Sequence, residues 1–293
     1  LFQYAGLFHI PFNERFMIFS HFQTRPLLEE SASETLLSQD LGLSLSPVKK
    51  VAKGWQFCDG QVLTFDQIRT INENENGCFL FADGEIAKVE VFSSRTNRYY
   101  SLMPTPKAPT LLISGIPMHR IKDTTPVEDT IQKIKALGKP FGRILDTATG
   151  LGYTAIQATQ TAQEVVTIEF DPVVLSICRL NPWSQALFTD PKISKLIGDS
   201  FDLVQDFDDE SFNGIIHDPP TFNLAGHLYS QSIYQAFFRI LRSRGRLFHY
   251  IGNPESRTGA TTSRGVVNRL RRAGFSVTPK PKAFGVLAEK PFM

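Results

Sequence analysis

The chain has 293 residues, 42% hydrophobic and 20% charged, which excludes a disordered protein and gives length for about two domains at roughly 150 residues each. Its 31 basic residues against 29 acids leave a formal charge of +2, so any anion-binding surface must come from uneven distribution. Three cysteines, Cys58, Cys78 and Cys178, are too few for a disulfide scaffold and read as reduced thiols of a cytoplasmic protein. No apolar run reaches the length of about 18 residues that a spanning helix needs, and no membrane partner is expected.

Residues 1–25 carry Phe2, Tyr4, Phe8, Phe12, Phe16, Phe19 and Phe22, interrupted by Asn13, Glu14 and Arg15. The stretch is neither a signal sequence nor a membrane span. Two readings stand: an N-terminal arm packed on the body, and a reading frame extended upstream of a start at Met17.

Residues 26–105 alternate short apolar runs with turn signals, Asp59-Gly60, Asn72–Gly77 and Asp83-Gly84. Segments 77–81 and 86–92 read as strands joined by hairpins, with one helix near 65–70. This predicts a small β-rich domain. Three prolines within 103–109 mark a linker.

From residue 110 to 293 strands and helices alternate. Thr125-Pro126, with Glu128 and Asp129 following, opens a helix that runs to Gly138. Strands are predicted at 143–146, 165–169, 195–197, 213–217 and 246–251, and helices at 153–162, 172–180, 200–206, 230–241 and 262–273. Two closing strands follow at 276–279 and 284–289. The pattern predicts an α/β fold, a doubly wound, mostly parallel sheet of seven strands.

Ligands of such sheets bind at the carboxyl ends of the strands. There the first strand turns through Asp146-Thr147-Ala148-Thr149-Gly150-Leu151-Gly152-Tyr153-Thr154. Two glycines allow close backbone approach, and the next helix offers N–H groups. The spacing departs from the dinucleotide fingerprint, since Ala155 stands where a third glycine would be. Asp146, Glu169 and Asp199 each end or follow a successive strand, and Glu169 has the offset of a ribose-binding acid.

Residues 144–154 resemble the first motif of class I S-adenosylmethionine-dependent methyltransferases, and residues 110–290 follow that family's element order. The resemblance implies S-adenosylmethionine as cofactor, with Asp146, Gly150 and Gly152 around its methionine portion and Thr147 and Thr154 as further candidate cofactor contacts. Glu169 would take the ribose and Asp199 the adenine amine, with Ser200 a further candidate cofactor contact. Ala148 departs from the glycine common there. More closely, Met118–Arg120, Leu145–Tyr153, Leu180–Trp183, Ile216–Pro220, His249–Pro254 and Asp40–Ser44 resemble uncharacterised, mainly archaeal methyltransferase-like proteins that have spermine-synthase-like relatives.

His217-Asp218-Pro219-Pro220-Thr221-Phe222 follows the fourth strand. The two prolines lack donors and leave carbonyls to accept from an incoming group. The segment is similar to the fourth motif of amino-group methyltransferases, with the aromatic residue offset by Thr221. Asp218 and His217 are the candidate bases for a nitrogen nucleophile, and Asp218 also borders the cofactor. Pro219, Pro220, Phe222, His227 and Tyr229 are the candidate acceptor contacts, and Asn253-Pro254 shapes a pocket or a turn. His119, His227 and His249 lack ligand spacing, and no metal is expected.

Residues 239–282 hold eleven basic side chains against Glu255 alone, a pattern that attracts phosphates or keeps an outer face soluble. Residues 199–218 hold seven acids and no lysine or arginine, but only Asp199 and Asp218 fall at the binding edge. The sequence therefore predicts a methyltransferase acting on nitrogen of an RNA, a protein or a small amine. Aminopropyl transfer and a non-catalytic cofactor-binding module remain alternatives. The oligomeric state is not legible.

Overall fold

A computed structural model describes residues 16–253 and 257–292; of the expected arm over 1–25, residues 1–15 lie outside the described residues. The chain divides into two compact units. One comprises the described chain up to Ile121 together with Arg179–Trp183, and the other Lys122–Cys178 and the described chain from Ser184.

The first unit is built from three antiparallel sheets. Met17–Phe19 pairs with Phe79–Ala82, which pairs with Glu85–Lys88. This folds Met17 onward into the β-rich unit and moves its start ahead of the expected residue 26. Glu34–Leu37, Ser46–Val51, Gly54–Gln56 and Val62–Thr64 form the second sheet, and Glu90–Ser93, Arg98–Met103, Thr110–Ile113 and Ile116–Pro117 the third. Helices His21–Glu29 and Phe65–Glu73 each open with a reciprocal capping box, Ser20 with Gln23 and Thr64 with Gln67. Phe19, Trp55, Phe57, Leu63, Ile68, Ile71 and Phe81 form the core.

The proline stretch expected as a linker joins paired strands instead. Met103 lies opposite Thr110, and Thr105 Oγ1 donates to Ala108 O at 2.8 Å. A strand connection asks no ladder donors of its prolines, so they fit there. Asp40 also acquires a structural reading: Oδ1 accepts from the Leu43 and Ser44 backbone at 3.0 and 2.9 Å, closing a turn. Trp183 Nε1 donates to the Leu41 carbonyl at 3.1 Å, so two motif segments distant in sequence meet.

The second unit opens with α1 (Pro126–Leu137), capped by Thr125 and ended by Gly138 at φ 93°. Then come β1 (Arg143–Asp146), α2 (Tyr153–Ala158), β2 (Glu164–Glu169), α3 (Pro172–Leu180), α4 (Ala186–Thr189), β3 (Ile193–Ile197), α5 (Ser200–Leu203) and β4 (Phe212–His217). The series closes with α6 (Phe222–Ala225), α7 (Gln231–Ile240), β5 (Leu241–Tyr250), α8 (Arg257–Arg272), β6 (Ser276–Lys280) and β7 (Gly285–Glu289). The sheet order is β3-β2-β1-β4-β5-β7-β6. β1 to β5 are parallel, and β7 returns antiparallel between β5 and β6. This is the doubly wound, Rossmann-like methyltransferase fold.

β2 buries Val165, Val166, Thr167 and Ile168 in succession, as a strand covered on both faces must. α2 and α5 stop at Ala158 and Leu203, short of the expected 162 and 206, and continue as turns. β5 starts five residues earlier than expected, with a register break opposite Phe212/Gly214 and Arg244 at φ 61°. The order in which strands are laid down reverses between β1 and β4, which puts the crevice at the carboxyl ends of these two parallel strands.

Candidate functional site

The glycine turn is tied to its neighbours on both sides. Thr147 N–H donates to Ile216 O of β4 at 3.0 Å, and Thr149 N–H to Ile168 O of β2 at 2.9 Å. Gly150 and Gly152 have φ of +49° and +77°, a region side chains disfavour. A Cβ at Gly152 would press on Leu187 at 3.0 Å, whereas one at Gly150 would meet nothing within 4 Å. Backbone at Gly150 is thus open to close approach. Its N–H donates to Glu169 Oε2 at 3.0 Å, while the Cys178 thiol donates to its carbonyl at 3.1 Å.

Asp146 is wholly buried and accepts from Thr167 Oγ1 at 2.8 Å and Thr154 Oγ1 at 3.3 Å. Burial pushes its pKa up to about 7; Thr167 opposes that shift and the charge of Asp218 adds to it. Glu169, which also accepts from Asp171 N–H at 3.0 Å, is likewise pushed by burial to about 7. Two carboxylates near neutrality therefore flank the open turn.

Three expected cofactor contacts, Thr147, Thr154 and Ser200, have hydroxyls bonded within the site. Thr154 is engaged by Asp146, Thr147 Oγ1 donates to His217, and Ser200 Oγ donates to Thr147 O. Asp199 caps α5 by accepting from Phe201 N–H at 2.8 Å. The exposed His227 sets Nε2 3.0 Å from Asp199 Oδ2, edge-on to Phe201.

At the end of β4, Asp218 Oδ2 meets Lys133 Nζ at 2.6 Å, and the same ammonium meets Asp129 Oδ2 at 2.7 Å. The side chains of Lys133 and Asp129 are 1% and 0% exposed, that of Asp218 16%. The ammonium also lies 4.7 Å from the centre of the Tyr250 ring. Burial works against the Lys133 charge, but Asp218 and Asp129 outweigh it and raise its pKa. Burial raises the Asp218 pKa, with Lys133 opposing. Sequence reading missed Lys133 and Asp129. The signal was present, because Lys133 falls on the same helical stripe as the buried Thr130, Ile134 and Leu137.

His217, expected as a candidate base, is withdrawn from the crevice. It is fully buried, with Nε2 2.8 Å from Leu228 O and Nδ1 2.6 Å from Thr147 Oγ1. A carbonyl only accepts, so Nε2 carries the proton and Thr147 donates to Nδ1. Burial lowers its pKa to about 4, leaving both ring nitrogens occupied and the ring neutral. His249, also buried, packs against it with ring centres 4.4 Å apart and the rings tilted by 58°, and is bonded by Tyr234 Oη at 2.9 Å.

Tyr229 is buried and donates to Pro220 O at 3.1 Å, so the expected open carbonyl at Pro220 already has a donor. Pro219 is buried beside it, and Phe222, half exposed, packs edge-on against Tyr229 at 5.5 Å. His119 belongs to the first unit, where Nδ1 lies 3.0 Å from Thr110 Oγ1. Pro254 and Glu255 lie outside the described residues.

The acidic and basic blocks meet each other. Arg239 binds Asp209 at 2.6 Å and the carbonyls of Val204, Gln205 and Phe207. Arg242 binds Glu210 O at 3.0 Å, and Arg246 binds Glu289 at 3.1 Å. Arg239 and Arg246 are thereby ion-paired within the fold, while Arg264, Arg271 and Arg272 of α8 remain exposed. No helix among the described residues is long and apolar enough to cross a membrane.

The sheet order and the acids at its carboxyl edge define a methyltransferase-like fold, one also used by aminopropyltransferases. The chain is 42% identical over 277 residues to the uncharacterized protein MJ1233 of Methanocaldococcus jannaschii, covering 91% of this chain and 93% of the other. It belongs to the family of that protein. No protein-family model matches it. A solved spermidine synthase in complex with the transition state analogue AdoDATO is similar at TM-score 0.56 and 17% identity, over 71% of this chain and 77% of that one. Spermidine synthase from Thermotoga maritima is similar at 0.54 and 16%, over 70% and 74%. At these identities the likeness is one of fold.

Proposed function

We propose that the chain is an S-adenosylmethionine-dependent methyltransferase acting on nitrogen. The observation that carries this reading is the row Asp146, Glu169 and Asp199 at the ends of β1, β2 and β3, around a glycine turn whose Gly150 lies open. The residues fit the donor: backbone can approach closely at Gly150, and two buried carboxylates suit a cationic sulfonium. When bound, the donor supplies an activated methyl group on a good leaving group. Asp146 and Glu169 hold it, Asp199 orients its base, and Asp218 takes the proton that an attacking amine must lose. Alignment and exclusion of water supply most of the rest.

One observation favours aminopropyl transfer as a second reading: the two fold neighbours just described are spermidine synthases, matched over about seven-tenths of this chain. The edge is also acidic, and its buried cation, Lys133, is held by two carboxylates. The buried network behind Asp218 speaks against a non-catalytic module, which has no use for a carboxylate so held. Calorimetric titration with S-adenosylmethionine, its decarboxylated form and NAD in parallel tests these readings. Tighter binding of S-adenosylmethionine supports methyl transfer, and preference for the decarboxylated form moves the assignment to aminopropyl transfer. Binding of NAD alone, or of none, overturns both.

A further inference from the structure

Asp129, Lys133 and Asp218 form a buried row of two carboxylates sharing one ammonium. Such a row carries one net negative charge when all three are ionised. Its two inner members are closed to solvent, and Asp218 alone reaches the crevice. A buried pair whose only work is holding helix to strand is commonly replaceable by apolar residues without loss. This one instead ends on the residue that follows β4 at the switch point. The ammonium is held from three sides, by Asp129, Asp218 and the Tyr250 ring, so it fixes one rotamer of the Asp218 carboxylate.

We propose that Lys133 is a positioning residue: it locks Asp218 through Oδ2, leaving Oδ1 to take the proton of an incoming amine, and Asp129 holds Lys133 in register. The inference rests on the reading that the site transfers an alkyl group to nitrogen. In the proton step the acceptor's N–H bond breaks, its electron pair stays on nitrogen for attack, and an O–H bond forms on Asp218. The net negative row then becomes neutral, so a protonated amine is the chemical class the site attracts. The charged and titratable groups around Asp218 are Asp129 and Lys133 of α1, Asp146 ending β1, Tyr250 of β5, and Tyr229 beyond α6.

The test is a carbon-13 carboxyl titration of Asp218 in the full chain, assigned by Asp218→Asn, in four proteins: wild type, Lys133→Met, Lys133→Arg and Asp129→Asn. Lys133→Met should raise the Asp218 midpoint by about 1–3 pH units, and Lys133→Arg should return it toward wild type. Asp129→Asn should move it the other way, because Lys133 then serves Asp218 alone; this variant decides the matter if Lys133→Met does not fold. Calorimetric Kd for S-adenosylmethionine at a pH where Asp146 is ionised should stay within about threefold throughout, since the substituted side chains lie on α1 and not in the glycine turn. The acid limb of kcat for any amine that turns over should follow the same order. An Asp218 midpoint unmoved by either Lys133→Met or Asp129→Asn overturns the proposal. Failure of the wild type to bind donor overturns the underlying reading instead, and the midpoints distinguish the two.

Discussion

Gly150 N–H donates to the Glu169 carboxylate at 3.0 Å, so the turn after the first strand and the acid ending the second are one device. The acid orients the backbone that a ligand must approach. Gly150→Ala should cost about 1–2 kcal/mol in left-handed strain, with no clash, and its methyl should occupy the open approach. Urea denaturation should show that modest loss while donor affinity falls at least about tenfold, some 1.4 kcal/mol. Gly152→Ala adds contact with Leu187 at 3.0 Å and should lose a further 1–3 kcal/mol, roughly the cost of overpacking. Equal stability losses with donor binding intact in Gly150→Ala would remove the turn from the site.

Asp146 and Asp218 should separate by role. Asp146→Ala removes a buried carboxylate that orders Thr154 and Thr167 and should abolish donor binding by calorimetry. Asp218→Asn keeps the shape, spares donor binding, and should lower turnover by about 100-fold or more, the usual loss for a general base. Parallel loss of binding in both variants would contradict the division.

The pH dependence follows from the raised carboxyls. Asp146 and Glu169 titrate at about 7 in the folded protein, against about 4 in an unfolded chain. The folded state then holds protons that the unfolded chain has released, so both groups make stability fall as pH rises from about 4 to 7. Asp146→Asn or Glu169→Gln should therefore raise Tm at pH 8 while weakening the donor. In the wild type, affinity for the cationic donor should climb between pH 6 and 8, by at most about tenfold per pH unit for each proton released. Calorimetry across that range checks it; a flat profile would mean these carboxylates do not meet the donor.

His217 shows the opposite linkage. Its folded pKa of about 4 lies below the ordinary value of 6.5, so its contribution is present above about 6.5 and is lost as pH falls toward 4. His217→Ala opens a cavity and takes the donor from Leu228 O, while the Thr147 hydroxyl keeps Ile216 O at 3.3 Å, and should cost about 2–4 kcal/mol. Turnover per folded molecule should keep its pH profile. A variant with unchanged Tm and vanished turnover would restore His217 as a base.

Much of the fold was legible from residues 122 onward, because a covered parallel strand is an uninterrupted apolar run and a surface helix repeats at 3.6 residues. Thr125-Pro126 and Gly138 marked the ends of α1 as placed, and the acids at strand ends were visible because strand ends were. The proline stretch misled because composition cannot tell a linker from a strand connection. His217 misled for a related reason: a histidine beside a motif looks chemical until its two nitrogens are seen to be bonded. Burial and hydrogen-bond partners are properties of the packed chain.

From residue 122 onward the sequence by itself determined the main alternation of strands and helices, without the short α4 and α6, and also the glycine turn and which acids stand at the sheet's edge, since these depend on local periodicity and spacing. Only the tertiary structure decided what each of those groups can do. It joined Lys133 to Asp218, 85 residues apart, and closed His217 into the core. It also cancelled Arg239 against Asp209, 30 residues away. Pairings at such separations are set by the register of strands and the packing of helices, and no local pattern of residues carries them.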